Sequence, residues 1–197
     1  MELRPFRALR GTPQFKERRP GLWIDRQVFQ ESGRTVVLPL LVGLVRLGDS
    51  SVELPEPEAA PEAVSKRVGA LVAAKADSDP CLLATRAPLD GALATTRRPD
   101  FTIEPPSGVR HDFFRVTDYA QHVDLQGLVK NADAQLLSGR ALWEAARQFS
   151  VSPAAAKLPG ARFKLCAIAD ERLLKESGLR PETSAGVLGF SFEDPVY

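Results

Sequence analysis

Side chains that hold metals or act as nucleophiles are scarce in this chain: its 197 residues include two cysteines and two histidines. Cys81 and Cys166 lie far apart in apolar surroundings. A disulfide scaffold needs more cysteines, and a structural zinc site needs ligand pairs such as C-x-x-C, which are missing. Two reduced, buried thiols are therefore expected, as in a reducing compartment. Phosphate-binding loops are lacking too, with neither G-x-x-x-x-G-K-[ST] nor G-x-G-x-x-G present. No apolar run approaches the roughly 18–20 residues that span a bilayer; the longest, Val36 to Val45, is interrupted by Pro39 and Gly43. The opening MELRPFRALR has no apolar stretch of the secretory type. A charge of one sign is missing as well: 26 Lys and Arg stand against 25 Asp and Glu, for a net charge of +1. That balance excludes a global bias toward nucleic acid or anionic lipid. The expectation is a cytoplasmic protein with no membrane insertion, no metal and no cofactor.

What is present fits a globular chain. Hydrophobic residues make up 44% and charged residues 26%, enough to fill a core and to coat it. The basic residues are unevenly spread: residues 1–50 hold nine Lys or Arg and five Asp or Glu, whereas residues 51–100 hold six and eight. Residues 1–34 read as a basic arm, in which Arg4, Arg7, Arg10, Arg18 and Arg19 alternate with Phe6, Phe15 and Trp23. Pro5, Pro13 and Pro20 exclude a long helix there, leaving a short strand at Leu22 to Ile24. Residues 35–197 read as a single domain.

The domain should be α+β, with a β-rich first part, a helical second part and a last strand returning to the sheet. RTVVLPLLVGLVR (Arg34 to Arg46) predicts one strand, or two with a bend at Pro39. Val52 to Leu54 suggests a short return strand. Glu53 to Glu62 (ELPEPEAAPE) is a proline- and glutamate-rich loop. Pro61 can open a helix to about Ala76. Cys81 to Arg86 predicts a buried strand with a hairpin partner at Leu89 to Thr95, and Phe101 to Glu104 and Val109 to Val116 predict two more. Asp118 to Phe149 has the strongest helical periodicity, capped by Thr117 or Asp118 and breakable at Ser138-Gly139. Ala161 to Ser177 predicts another helix with Gly178 as its C-cap. Gly186 to Phe192 predicts the final strand.

Two short patterns bear on function. LWEAARQFSVSPAAAKL (Leu142 to Leu158) resembles the helix-turn-helix of DNA-binding proteins, which implies that Val151 plugs the turn and that Ser152 and Pro153 open a second helix. That helix meets Pro159-Gly160 early, and its outward alanines and Lys157 do not suit base reading. His111-Asp112 resembles the paired metal ligands of HD-type phosphohydrolases. That chemistry needs further histidines, and only His122 remains, so a solvated loop histidine is the expected reading. The cysteines sit in apolar runs, unlike activated nucleophiles.

These observations point to a non-enzymatic interaction subunit of a larger intracellular protein assembly, with other protein subunits as partners. The expected contacts are Arg4, Arg7, Arg10, Phe15, Arg18, Arg19 and Trp23, aided by the Pro/Glu loop. The alternative is nucleic-acid binding through the same arm and the 142–158 element.

Overall fold

The computed structural model describes residues 21–48, 51–89, 91–178, 181–183 and 186–193. Its frame is one mixed sheet of eight strands. These are β1 (Trp23–Glu31), β2 (Arg34–Arg46), β3 (Ser51–Glu53), β5 (Cys81–Thr85), β6 (Phe101–Ile103), β7 (Arg110–Arg115), β8 (Asp133–Ser138) and β9 (Phe163–Asp170). Their spatial order is β3-β8-β5-β9-β2-β1-β7-β6. The helices are α1 (Pro61–Ala74), α2 (Tyr119–Lys130), α3 (Arg140–Ser150) and α4 (Glu171–Ser177). A separate two-stranded sheet joins β4 (Ala76–Asp77) to β10 (Phe190–Ser191). The fold is α+β, as its sequence suggests.

The β1–β2 hairpin turns at Ser32-Gly33, where both residues take positive φ (50° and 77°). That is the two-residue turn whose twist matches flanking strands, and glycine adopts it without strain. β2 runs unbroken through Pro39. Its pairing with β9 begins only at Leu41, so on that side no ladder bond is lost at the proline. β1 is nine residues long rather than the short Leu22–Ile24 strand expected, because β2 pairs with it along its whole length to Glu31 and β7 as far as Val28.

Side-chain alternation divides the sheet into two apolar faces. Ile24, Leu41, Val45, Cys81, Leu83, Phe114, Cys166 and Ile168 face α2 and α3, which contribute Leu125, Val129 and Trp143. Trp23, Leu40, Val42, Leu82, Phe113, Leu165 and Ala167 face the other way, toward Leu173 and Leu174 of α4 and the segment carrying Val187, Leu188 and Phe190. A third cluster joins Phe149, Ala155, Ala161 and Phe192.

Several expectations are corrected. The long helix over Asp118–Phe149 is interrupted by β8: Ala134 and Leu136 are buried while Gln135 between them is exposed, a period of two. Asp118 does cap α2, accepting the Gln121 N–H at 2.7 Å. Gly139 opens α3 with φ 89°, which a β-carbon would strain. The expected helix over Ala161–Ser177 is strand β9 followed by α4 alone. Every residue of β9 after Phe163 is buried, so its continuous apolar run carries no strand alternation. The C-terminal part is thus mixed, not helical. Leu89–Thr95 is no hairpin partner: it turns, with the Leu93 N–H donating to Leu89 O, and plugs Leu89 and Leu93 into the core. β3 pairs in parallel with β8 rather than returning on β2. The last strand, β10, pairs with β4 in the small sheet and does not rejoin the large one. Among the described residues no helix is long and apolar enough to cross a membrane.

Candidate functional site

Consecutive strand residues point to opposite faces of a sheet, and this decides the fate of His111-Asp112. His111 lies opposite Gln27 and Asp112 opposite Arg26 in the β1–β7 register. His111 is buried, not solvated as expected. Its Nδ1 meets Asp25 Oδ2 at 3.0 Å and Oδ1 at 3.2 Å, and its Nε2 stands 3.8 Å from Glu182 Oε2. The Gln27 side chain clamps the segment around Glu182: its Nε2 donates to Glu182 O at 2.7 Å and its Oε1 accepts the Glu182 N–H at 3.0 Å. Burial pulls the His111 pKa down, but the hydrogen bond and charge of Asp25, aided by Glu182, outweigh it. The net direction is up from 6.5.

Asp112 points the other way. It accepts Arg26 Nη2 at 2.9 Å, Thr102 Oγ1 at 2.8 Å and Arg110 Nη2 at 3.2 Å. Burial pushes its pKa up, yet Arg26, Thr102 and Arg110 together hold it below the ordinary carboxylate range. With the two side chains on opposite faces, His111 and Asp112 cannot share one metal ion. Among the described residues no cluster of three His, Cys, Asp or Glu is placed to hold one.

Cys81 and Cys166 are register partners on β5 and β9, both buried and both free. Burial pushes the Cys81 thiol up to about 12 and raises Cys166 well above its usual value. Such thiols stay protonated and are poor nucleophiles. Beneath them lies a buried ion pair, Lys164 Nζ to Asp77 Oδ2 at 2.7 Å, whose carboxylate also accepts the Leu165 N–H at 3.0 Å. Burial lowers the Lys164 pKa, but the Asp77 charge more than offsets it and the net direction is up.

The 142–158 segment is not a helix-turn-helix. α3 ends at Ser150, and Pro153–Ala155 makes a single 3-10 turn, followed by a second at Pro159–Arg162. Val151 is 85% exposed rather than plugging a turn. With no second α-helix there is nothing to lay in a major groove. The same residues instead build something the sequence did not suggest. Two adjoining concavities of about 560 and 760 Å³ share Arg46, Ser150 and Arg162 in their walls. Lys157 lines the first and Arg147 the second, so four cations line this open groove at the carboxyl end of α3. Arg147, Lys157 and Arg162 are exposed, and none is ion-paired with an acid among the described residues. The one acid in the groove wall, Glu144, is bound by Arg140 one helical turn away.

Of the expected contact residues, Arg4, Arg7, Arg10, Phe15, Arg18 and Arg19 lie outside the described residues. Trp23 is committed to the core: it is 7% exposed, with its ring edge-on to Phe101 at 5.6 Å. Sequence reasoning missed the groove because Arg147, Lys157 and Arg162 are spread over α3, the second turn and the link before it, and Arg46 joins them only through β2. The chain matches no family model, no curated protein and no solved structure.

Proposed function

We propose that this protein is a non-enzymatic interaction subunit of a larger intracellular assembly, and that the basic groove at the carboxyl end of α3 receives an acidic segment of a partner protein. The observation that carries this is that four cations line one groove, of which Arg147, Lys157 and Arg162 have no acid partner among the described residues. Like charges gathered in this way repel one another, so an anionic partner gains from relieving that repulsion as well as from its own contacts. Exposed Val151 in the groove wall adds an apolar contact. Arg4, Arg7, Arg10, Arg18 and Arg19 carry the same sign of charge, and the proposal keeps that arm as a second contact segment. Two buried free thiols support a reducing compartment.

The same cations support one other reading, a nucleic-acid backbone lying along the groove. Light scattering after size-exclusion chromatography separates the two, on protein taken from its own cells at low and at high salt, with absorbance at 260 and 280 nm. A protein complex that comes apart at high salt supports the subunit reading. Nucleic acid released by salt supports the second. A monomer at both salts refutes both.

A further inference from the structure

Opposite charges sit at the two ends of α3. The groove is at its carboxyl end. At its amino end runs the segment 53–62, in which Glu53, Glu56, Glu58 and Glu62 are all exposed and none is ion-paired among the described residues. Arg140 Nη1 donates to Pro55 O at 2.7 Å and ties this segment to the first residue of α3. Glu53 is fixed in β3 and Glu62 in α1, and no residue of the segment lines the groove of its own copy. Pro55 and Pro57 lie among the first three glutamates, while Pro61 and Glu62 form the first turn of α1, so the segment is held in place by the fold and little ordering cost remains on docking.

We propose that the Pro/Glu segment 53–62 of one copy seats in the basic groove of another, so that this chain assembles with itself head to tail. The inference rests on the groove being a docking surface for an acidic segment, and it names the occupant. The segment's carboxylates meet Arg147, Lys157 and Arg162, which have no acid partner among the described residues. A long polyanion fits less well: passing the groove along α3, it would run into the glutamates at the other end of the helix, and the net charge of +1 supplies no wider attraction. Val151, beside Arg147 in the groove wall, offers a surface for a proline ring. Each contact uses a different patch on each copy, so every dimer keeps one free segment and one free groove. Assembly therefore continues into a ring if the rotation closes and into a filament if it does not. Exposed ion pairs are individually weak and screened by salt, which makes the assembly dependent on concentration and ionic strength.

The test is sedimentation of the full chain with two charge-reversed variants, Glu53→Lys/Glu56→Lys/Glu58→Lys and Arg147→Glu/Arg162→Glu. All five positions are exposed, and melting curves confirm that each variant folds. The wild type is expected to grow in mass with concentration at low salt and to return to monomer near about 1 M salt, where the Debye length is about 3 Å. Each variant alone is expected to stay monomeric. Mixed, they should associate again, because one supplies the intact groove and the other the intact segment. A wild type that is monomeric at low salt, or an assembly that survives either reversal, overturns the inference. A parallel titration with a glutamate-rich peptide tells this failure from that of the groove. A monomeric wild type whose groove still binds the peptide means the partner is another protein, and binding of neither peptide nor copies removes both readings.

Discussion

Replacing Lys164 with methionine tests how the centre of the sheet is held. Lys164 and Asp77 are almost wholly buried and 2.7 Å apart. Lys164→Met keeps most of the side-chain volume and leaves the Asp77 carboxylate buried without its counter-charge, a loss of about 3–5 kcal/mol. At about 2–4 °C per kcal/mol for a chain of this size, the melting temperature falls by about 6–20 °C. Asp77→Asn strands the ammonium instead and should cost a similar amount. The double variant, Lys164→Met/Asp77→Asn, removes both charges, and its new amide oxygen can still accept the Leu165 N–H that Asp77 now takes at 3.0 Å. Most of the stability should return, because a buried pair is worth little more than the neutral groups that replace it. Urea denaturation of the four proteins at pH 7, followed by circular dichroism, gives the cycle directly. Single variants within about 1 kcal/mol of wild type would place the pair among exposed ion pairs and refute the reasoning.

Three more expectations follow from particular contacts. His111 has a folded pKa raised above 6.5, so its contribution is fully present below about 6.5 and is lost as pH rises through the folded value. The urea midpoint should therefore decline above that point in wild type and flatten in His111→Gln, in which the carboxylates facing the ring, Asp25 and Glu182, are retained; equal slopes would contradict the assignment. Trp23→Ala should destabilise by about 3–5 kcal/mol in thermal melts, as for a core aromatic, against about 0.5 kcal/mol or less for a surface contact. Gly160→Ala brings a β-carbon within 2.8 Å of Phe192 Cα and 3.1 Å of Ser191 O. It should cost about 1–3 kcal/mol and speed amide exchange in β10, and unchanged exchange would count against the packing described.

The fold was legible where a local signal had one meaning. Pro61 marked the first turn of α1, Asp118 capped α2, and Gly178 ended α4 with φ 64°. The signal failed where tertiary burial overrode it. β9 lies between β5 and β2 with both faces covered, so its run from Leu165 to Ala169 carries no alternation and mimics a helix. β8 is short, and Ala132 and Leu136 stand four apart, a spacing that a helix and a strand accommodate equally. Partners of the edge elements, β3 on β8 and β10 on β4, depend on crossovers that no local pattern encodes. The candidate sites were legible only in part. His111 and Asp112 stood out by residue type, but burial and opposed orientation, which decide their role, needed the β1–β7 register. The groove was hidden because Arg46 joins Arg162 only through the pairing of β2 with β9.

The central claim is that the cations gathered at the end of α3 bind an acidic protein segment. It is tested most directly by titrating a fluorescent glutamate-rich peptide onto wild type and onto Arg147→Glu/Arg162→Glu, with anisotropy read at low salt and again near about 1 M salt. Saturable binding to wild type that disappears both with salt and with the reversal is the predicted result. Equal binding by the two proteins, or none by wild type at low salt, would contradict the account.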